Sequence, residues 1–324
     1  MATRVGTGAR LHFGFLNLSL AHERLYGGLG VALDEPRTVL RVERADGIDA
    51  PDEETAAYAR RAAAHLDVPG ARIEVSSAIP RHAGLGSGTQ LALSVYAGLA
   101  RAYDITPAPR EAAPALDRGG RSGVGVCTFE AGGFVVDAGH PTERFTTDRP
   151  PRGQWTVPGT VARHDVPEGW RFVLATPDVG PGRSGDEEDA SMRAVVSQAE
   201  PEIAGEVGTV VLHRLLPALL SADLPAFGAA VAELGRLNGA WYAVEQGGLY
   251  RPPIGSVVDE LSDSAAVEGV GQSSWGPTVW AVTDAGRTET AESAARDALD
   301  AAGLDGDVRV VGPRNGGATV EPAE

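Results

Sequence analysis

Apolar residues along this chain fall into two kinds of repeat. Residues 10–15, Arg-Leu-His-Phe-Gly-Phe, alternate with the period of a half-buried strand. A second strand-like run, 26–33, begins with paired glycines, which predicts a hairpin or a backbone that must approach something closely. Residues 52–66 carry a helical stripe, with Asp52 placed to cap the helix and Glu53 and Glu54 in its first turn. From Thr89 onward, Leu91, Leu93, Val95, Leu99 and the alanines between them read as a helix buried nearly all round. β-Branched runs at 72–75, 170–175, 279–283 and 308–311 predict further strands, and helices are expected at 203–222, 224–237, 254–263 and 289–302. Residues 107–114, 146–168 and 177–189 are expected to be loops or connections.

Three glycine clusters punctuate this pattern. The first follows the strand at 72–75: Pro80 stops the strand, and Gly84, Gly86 and Gly88 then permit positive φ just before the buried helix. A flexible loop delivering a helix N-terminus is an anion site, because free N–H groups and the macrodipole point at whatever sits there. It is not a Walker loop, since the chain has no Lys, and four residues separate it from the strand, unlike a dinucleotide-binding turn.

The second cluster, residues 117–126, combines Gly119, Gly120, Gly123 and Gly125 with Arg118, Arg121 and the Ser122 hydroxyl. A hydrophobic strand then ends in Asp137, with His140 shortly after. An acid at a strand end is a candidate general base, metal ligand or cation stabiliser, and equally an ordinary turn residue. The acids at 186–189 read either as Mg²⁺ ligands, with Glu187 and Glu188 foremost, or as a solvated face. The third cluster, 269–278, contains Gly271, Ser273 and Ser274 and precedes a strand.

Charge narrows the partners. The 324 residues carry a net charge of −16, and all 28 basic residues are Arg. Such an acidic, Lys-free surface points to adaptation to high salt, although a GC-rich genome also favours Arg, and it argues against a nucleic-acid partner. Cys127 is the sole cysteine, expected as a packed thiol in a reducing cytoplasm. The most apolar run, 207–224, is broken by His213, Arg214 and Pro217, so no membrane span or secretory leader is expected.

The first loop resembles motif two of the GHMP kinase superfamily, Pro-x-x-x-Gly-Leu-Gly-Ser-Ser/Gly, and with Thr89, Gln90 and Leu91 it is similar to one branch, the β-ribofuranosylaminobenzene 5′-phosphate synthases of methanopterin biosynthesis. The Arg10-x-His12-x-Gly14 start resembles the same branch, as do the glycine run through Pro36 and the string from Gly119 to His140. Residues 269–278 resemble GHMP motif three. Departures stand at Asn17 and Tyr26, where the family has acids, and at Ser184, where it has His.

This resemblance implies an α+β, two-domain GHMP kinase-like fold: residues 1–168 like the second domain of ribosomal protein S5, and 169–324 ferredoxin-like. It implies condensation of 5-phosphoribosyl 1-pyrophosphate (PRPP) with an aromatic carboxylic acid, 4-hydroxybenzoate or 4-aminobenzoate, with Mg²⁺ and with loss of pyrophosphate and CO₂. Gly84, Gly86, Ser87, Gly88, Thr89 and Gln90 would cradle one phosphate group. Arg121, Ser122, Gly120 and Gly123 would hold the other end, and Arg10, His12, Gly271, Ser273 and Ser274 would complete the binding surface. Asp137 is expected at the reacting centre with His140 and Arg121 beside it. An ATP-dependent small-molecule kinase and a non-catalytic sensor on the same fold are the alternatives, and a homodimer is a candidate assembly.

Overall fold

In a computed structural model, which describes residues 2–180, 182–183 and 185–323, the chain begins as a long hairpin. Strands β1 (Thr3–Asn17) and β2 (Arg24–Arg44) pair antiparallel from Thr3 opposite Val42 to Asn17 opposite Tyr26, and the register shifts beside Gly8 and Gly14. Chain order continues with β3 (Ile48–Asp49), α1 (Glu53–Leu66), β4 (Ala71–Ser77), α2 (Ser87–Ala102), α3 (Pro109–Ala112), α4 (Val124–Ala131), β5 (Phe134–Asp137), β6 (His140–Pro141) and β7 (Thr160–His164). Asp52 caps α1 as expected, its carboxylate accepting from Thr55 N at 2.9 Å.

The second half runs β8 (Trp170–Pro177), α5 (Gly185–Gln198), α6 (Pro201–Val210), a π turn (Val211–Leu215), α7 (Leu216–Leu220), α8 (Leu224–Gln246), α9 (Ile254–Ser262), β9 (Gly269–Gln272), β10 (Val279–Asp284), α10 (Thr288–Ala301), β11 (Gly306–Val311) and β12 (Thr319–Pro322). Four of these strands form a sheet of order β11-β8-β10-β9, with α9 and α10 packed through Val257, Leu261, Ala295 and Leu299 on one face. The last strand, β12, returns to the first sheet and pairs with β1, giving the order β12-β1-β2-β4-β3, while β5 and β6 pair with β2.

One core joins the two sheets. Phe13 of β1 meets the Trp280 ring of β10 edge-on at 5.0 Å and the Phe227 ring of α8 at 6.3 Å, so the halves are locked through fully apolar contacts. The mixed α+β architecture with two sheets is the one expected.

Four local expectations change. The second glycine cluster runs into a helix, α4, and the strand ending at Asp137 starts only at Phe134. The acids at 186–189 are the first turn of α5 rather than a loop, where negative charge is favourable against the helix dipole. The connecting segment 146–168 contains β7. Among the described residues one helical stretch, Pro201–Leu220, is long and apolar enough to cross a membrane. Its Val207, Val210, Val211 and Leu215 are buried in the shared core beside α8 and β1.

Candidate active site

The three glycine clusters converge on one cleft of about 560 Å³, between β1, the N-terminus of α2, the start of α5 and the β9–β10 turn. Ser273, fully buried, pins two of its walls: its hydroxyl donates to Gly84 O at 2.8 Å and accepts from His12 N at 3.2 Å. Gly84 has φ +83°, and a Cβ there would lie 2.3 Å from Ser273 O, so only glycine lets these loops meet. Arg10 braces the same carbonyl, donating from Nη1 to Gly84 O at 2.6 Å. Gly86 caps α2 in the left-handed conformation and has no side chain to satisfy the first-turn N–H groups. No acid lies in that first turn, so the helix opens on the cleft as a bare positive end.

Although the protein as a whole is strongly acidic, seven arginines and only four carboxylates line the cleft. Several arginines are paired: Arg121 with Glu188 at 2.9 Å and with Asp189, Arg149 with Asp117 at 3.0 Å, and Arg81 with Glu54 at 2.9 Å. Among the described residues, Arg10, Arg61 and Arg118 have no carboxylate partner. Arg118 lies over the Tyr58 ring at 5.1 Å and donates to its hydroxyl, yet its buried Nε has no partner. Burial pushes the Arg118 guanidinium down from its ordinary value, and Arg10 down to about 10. Both remain cations at neutral pH, and a partly desolvated cation without a counter-charge gains from a ligand that supplies one.

Asp137 is fully buried behind this surface rather than at the reacting centre expected for it. Its Oδ2 accepts from Gly123 N at 2.7 Å and from the Ser122 hydroxyl at 3.2 Å, and its Oδ1 accepts from Gly139 N at 2.9 Å. Gly28 N–H also donates to this carboxyl, which burial nonetheless pushes above the ordinary range. Ser122 Oγ in turn accepts from Val124 N at 3.1 Å and lies 3.1 Å from His12 Nε2. With the Ser122 proton given to Asp137, His12 must donate from Nε2, which leaves Nδ1 as its lone pair. Burial, then Arg10, hold the imidazole down to about 3, so it is neutral. The result is a relay, Asp137 to Ser122 to His12, of which only the last two reach the cleft.

Other expected residues divide in the same way. Ser87, Gly88, Thr89, Gly120, Arg121 and Ser274 line the cleft. His140 does not: its ring stacks on Phe145 at 3.7 Å and donates from Nε2 to Gly119 O at 3.1 Å, and burial holds it down to about 4. It tethers the second glycine loop instead of touching a substrate. Gln90 is buried, accepting from Thr7 and donating to Gly125 O, which ties α2 to α4. Gly271 lies in β9, where a Cβ would strike the Trp280 ring, so it serves packing.

Glu187 points away from the cleft, its side chain 72% exposed beside Arg183, while Glu188 faces the cleft. Among the described residues no three His, Cys, Asp or Glu side chains converge as a metal site. Ser184 lies outside the described residues. At the other two departures, Asn17 holds the hairpin turn through Ser19 O and Arg24 O, and Tyr26 bonds Arg121. The sequence did not single out Arg149 or Tyr58; Arg118 had a signal in its place beside the glycines.

Residues 54–133, which span α1 to α4 and the first glycine loop, match the family described as GHMP kinases N terminal domain. Among curated proteins, the chain is 33% identical over 296 residues to the beta-ribofuranosylphenol 5′-phosphate synthase of Methanothermobacter thermautotrophicus, covering 86% of this chain and 88% of that one. It is 32% identical over 323 residues to the protein of the same name from Archaeoglobus fulgidus, covering 98% and 99%. Among solved structures, a homoserine kinase from Cytophaga hutchinsonii aligns with a TM-score of 0.59 at 16% identity, covering 98% of this chain and 97% of that chain. A mevalonate diphosphate decarboxylase from Staphylococcus aureus aligns at 0.66 and 11%, with the same coverages, and these two likenesses concern the fold alone. With that fold, with the motif-bearing loops meeting at one cleft, and with a third of its residues shared over most of its length, the chain belongs to the beta-ribofuranosylphenol 5′-phosphate synthase family of enzymes.

Proposed function

We propose that this enzyme condenses PRPP with 4-hydroxybenzoate or 4-aminobenzoate to a ribosyl-arene 5′-phosphate, releasing pyrophosphate and CO₂. The observation that carries the reading, beside the relatives' name, is the pair of half-buried arginines without carboxylates, Arg10 and Arg118, flanking the open N-terminus of α2. That arrangement suits a polyanion, and PRPP carries phosphate groups at both ends. The α2 N-terminus with Arg10 and Arg118 takes the pyrophosphate, and the second glycine loop with Arg121, which holds N–H donors beyond those it gives to Glu188 and Asp189, takes the 5-phosphate.

As the C1–O bond to pyrophosphate breaks, positive charge develops on C1 and negative charge on the leaving group, where the arginines and N–H groups stabilise it. The carboxylated ring carbon then forms the C–C bond, and loss of CO₂ returns the electron pair to the ring. His12, neutral and held by Ser122, borders this centre, while Asp137 acts only by fixing Ser122. Glu188 and Asp189, carboxylates at the cleft edge that also pair with Arg121, would hold a Mg²⁺ together with substrate phosphate oxygens, and the ion would supply further neutralisation of phosphate charge.

The test is mass spectrometry of products after incubation with Mg²⁺, PRPP and either arene at low and high KCl. A decarboxylated ribosyl-arene phosphate with stoichiometric pyrophosphate is expected. Recovery of unreacted PRPP and arene, together with ATP-dependent phosphorylation of a small alcohol, would replace this reading with a kinase.

A further inference from the structure

A narrow side slot opens from the cleft. It shares His12, Phe15, Glu188 and Trp275 with the cleft and continues past Met192 and Tyr242 between β1 and α8. We propose that this slot seats the ring of the aromatic acid and that Tyr242 is its polar contact, an inference that rests on the function proposed above.

Phe13 of β1 is enclosed in the shared core, and beyond the register shift between His12 and Gly14 the next aromatic, Phe15, is only half-buried at the slot. Trp275 and Tyr242 meet with ring centroids 4.8 Å apart and planes at 64°, an edge-to-face pair presented to the slot. Such walls favour an aromatic guest, because ring edges and faces complement one another beyond the area they bury. The slot is small, about 60 Å³ against about 560 Å³ for the cleft. A nucleoside does not fit there, whereas one flat ring, partly standing in the cleft, does. This placement brings the ring to the junction lined by His12, where the cleft would present C1 of PRPP.

Tyr242 supplies the second observation. Among the described residues its hydroxyl has the Met192 sulfur, at 3.8 Å, as its only hydrogen-bond partner, and a thioether is a weak acceptor. Burial raises this phenol well above its ordinary range, so it stays protonated and has a proton to donate to a polar ring substituent. A part-buried donor with so poor a partner gains from a ligand that completes it.

The experiment measures KM for 4-hydroxybenzoate and for PRPP with the full-length enzyme and with Tyr242→Phe and Phe15→Leu, together with saturation-transfer NMR of the ring protons in the presence of pyrophosphate. Tyr242→Phe keeps the ring and the fold, and should raise KM for the arene about fivefold while leaving KM for PRPP and Tm unchanged. Phe15→Leu should raise it about tenfold and weaken the NMR signal. Product formation with unchanged arene KM in both variants would overturn the slot and leave the function. Ring binding lost in the variants, without any product from the wild type, would overturn the function and leave the slot. A parallel rise in KM for PRPP would also overturn the slot, since it would report a general disturbance of the cleft.

Discussion

The relay behind the cleft is tested most sharply at Gly28. A Cβ at this β2 position would lie 2.1 Å from Ser122 Oγ, 2.8 Å from Val124 Cγ2 and 2.9 Å from Asp137 Oδ2. Real Cβ atoms essentially never come within 3.0 Å of such neighbours, so Gly28→Ala must push the Ser122 hydroxyl aside by roughly an ångström. That hydroxyl holds three contacts, to Asp137 Oδ2 at 3.2 Å, from Val124 N at 3.1 Å and with His12 Nε2 at 3.1 Å. Losing them costs about 1 kcal/mol each, more for the one to a carboxylate, and overpacking adds about 1–3 kcal/mol. After partial relaxation the variant should lose roughly 3–5 kcal/mol of stability, and kcat should fall about tenfold or more as His12 loses its orienting partner. Ser122→Ala removes the same contacts without the clash. In the double variant the new methyl no longer meets an oxygen at position 122 and the three shared contacts are lost only once, so its cost should fall short of the sum of the single variants by about 3 kcal/mol. Urea denaturation of the four proteins at neutral pH gives these values. Costs that add to within about 0.5 kcal/mol would refute the packing of Ser122 against Gly28.

Two further predictions follow from the buried charges. His12 at about 3 and His140 at about 4 lie below the ordinary imidazole value of 6.5, so the unfolded chain binds more protons than the native one between about pH 4 and 6.5. The stability these groups contribute by staying neutral is complete above pH 6.5 and is lost as pH falls through that window, with a limiting slope of about 2.7 kcal/mol per pH unit for two protons. Urea midpoints that stay level from pH 7 to 4.5, or a slope that His140→Gln does not reduce, would contradict this. For Arg118, replacement by Met removes a half-buried cation whose buried Nε has no partner, so Tm should hold or rise while pyrophosphate binding, read by calorimetry, weakens about tenfold or more. Unchanged pyrophosphate affinity would exclude Arg118 from the anion site.

Elements with strong local signals were legible in advance. Asp52 caps α1 because a carboxylate three residues before a free N–H can reach it, and α2 follows its glycine loop because both signals are local. Helix α4 was not legible. Its eight residues, Val-Gly-Val-Cys-Thr-Phe-Glu-Ala, include glycine and β-branched side chains and show no helical stripe, and they become a helix against α2 and β2 through burial. The glycine loops converge on the cleft, but Gln90 in α2, Gly271 in β9, Asp137 at the end of β5 and His140 in β6, each adjoining those clusters in sequence, face the interior. A loop pattern tells which backbone is flexible and not which side of it becomes solvent.

The sequence alone determined the family, the α+β class and the three glycine loops, because residue identity and local period carry those properties. Only tertiary structure decided which side chains face the cleft. His12 and Ser122 are 110 positions apart and meet solely because β2 lays β1 beside the second glycine loop. Arg121 is neutralised by acids of α5 while Arg118, three residues earlier, is left without one. Burial and charge pairing are properties of the whole packed chain, so the role of an arginine or an aspartate is settled by its neighbours in space.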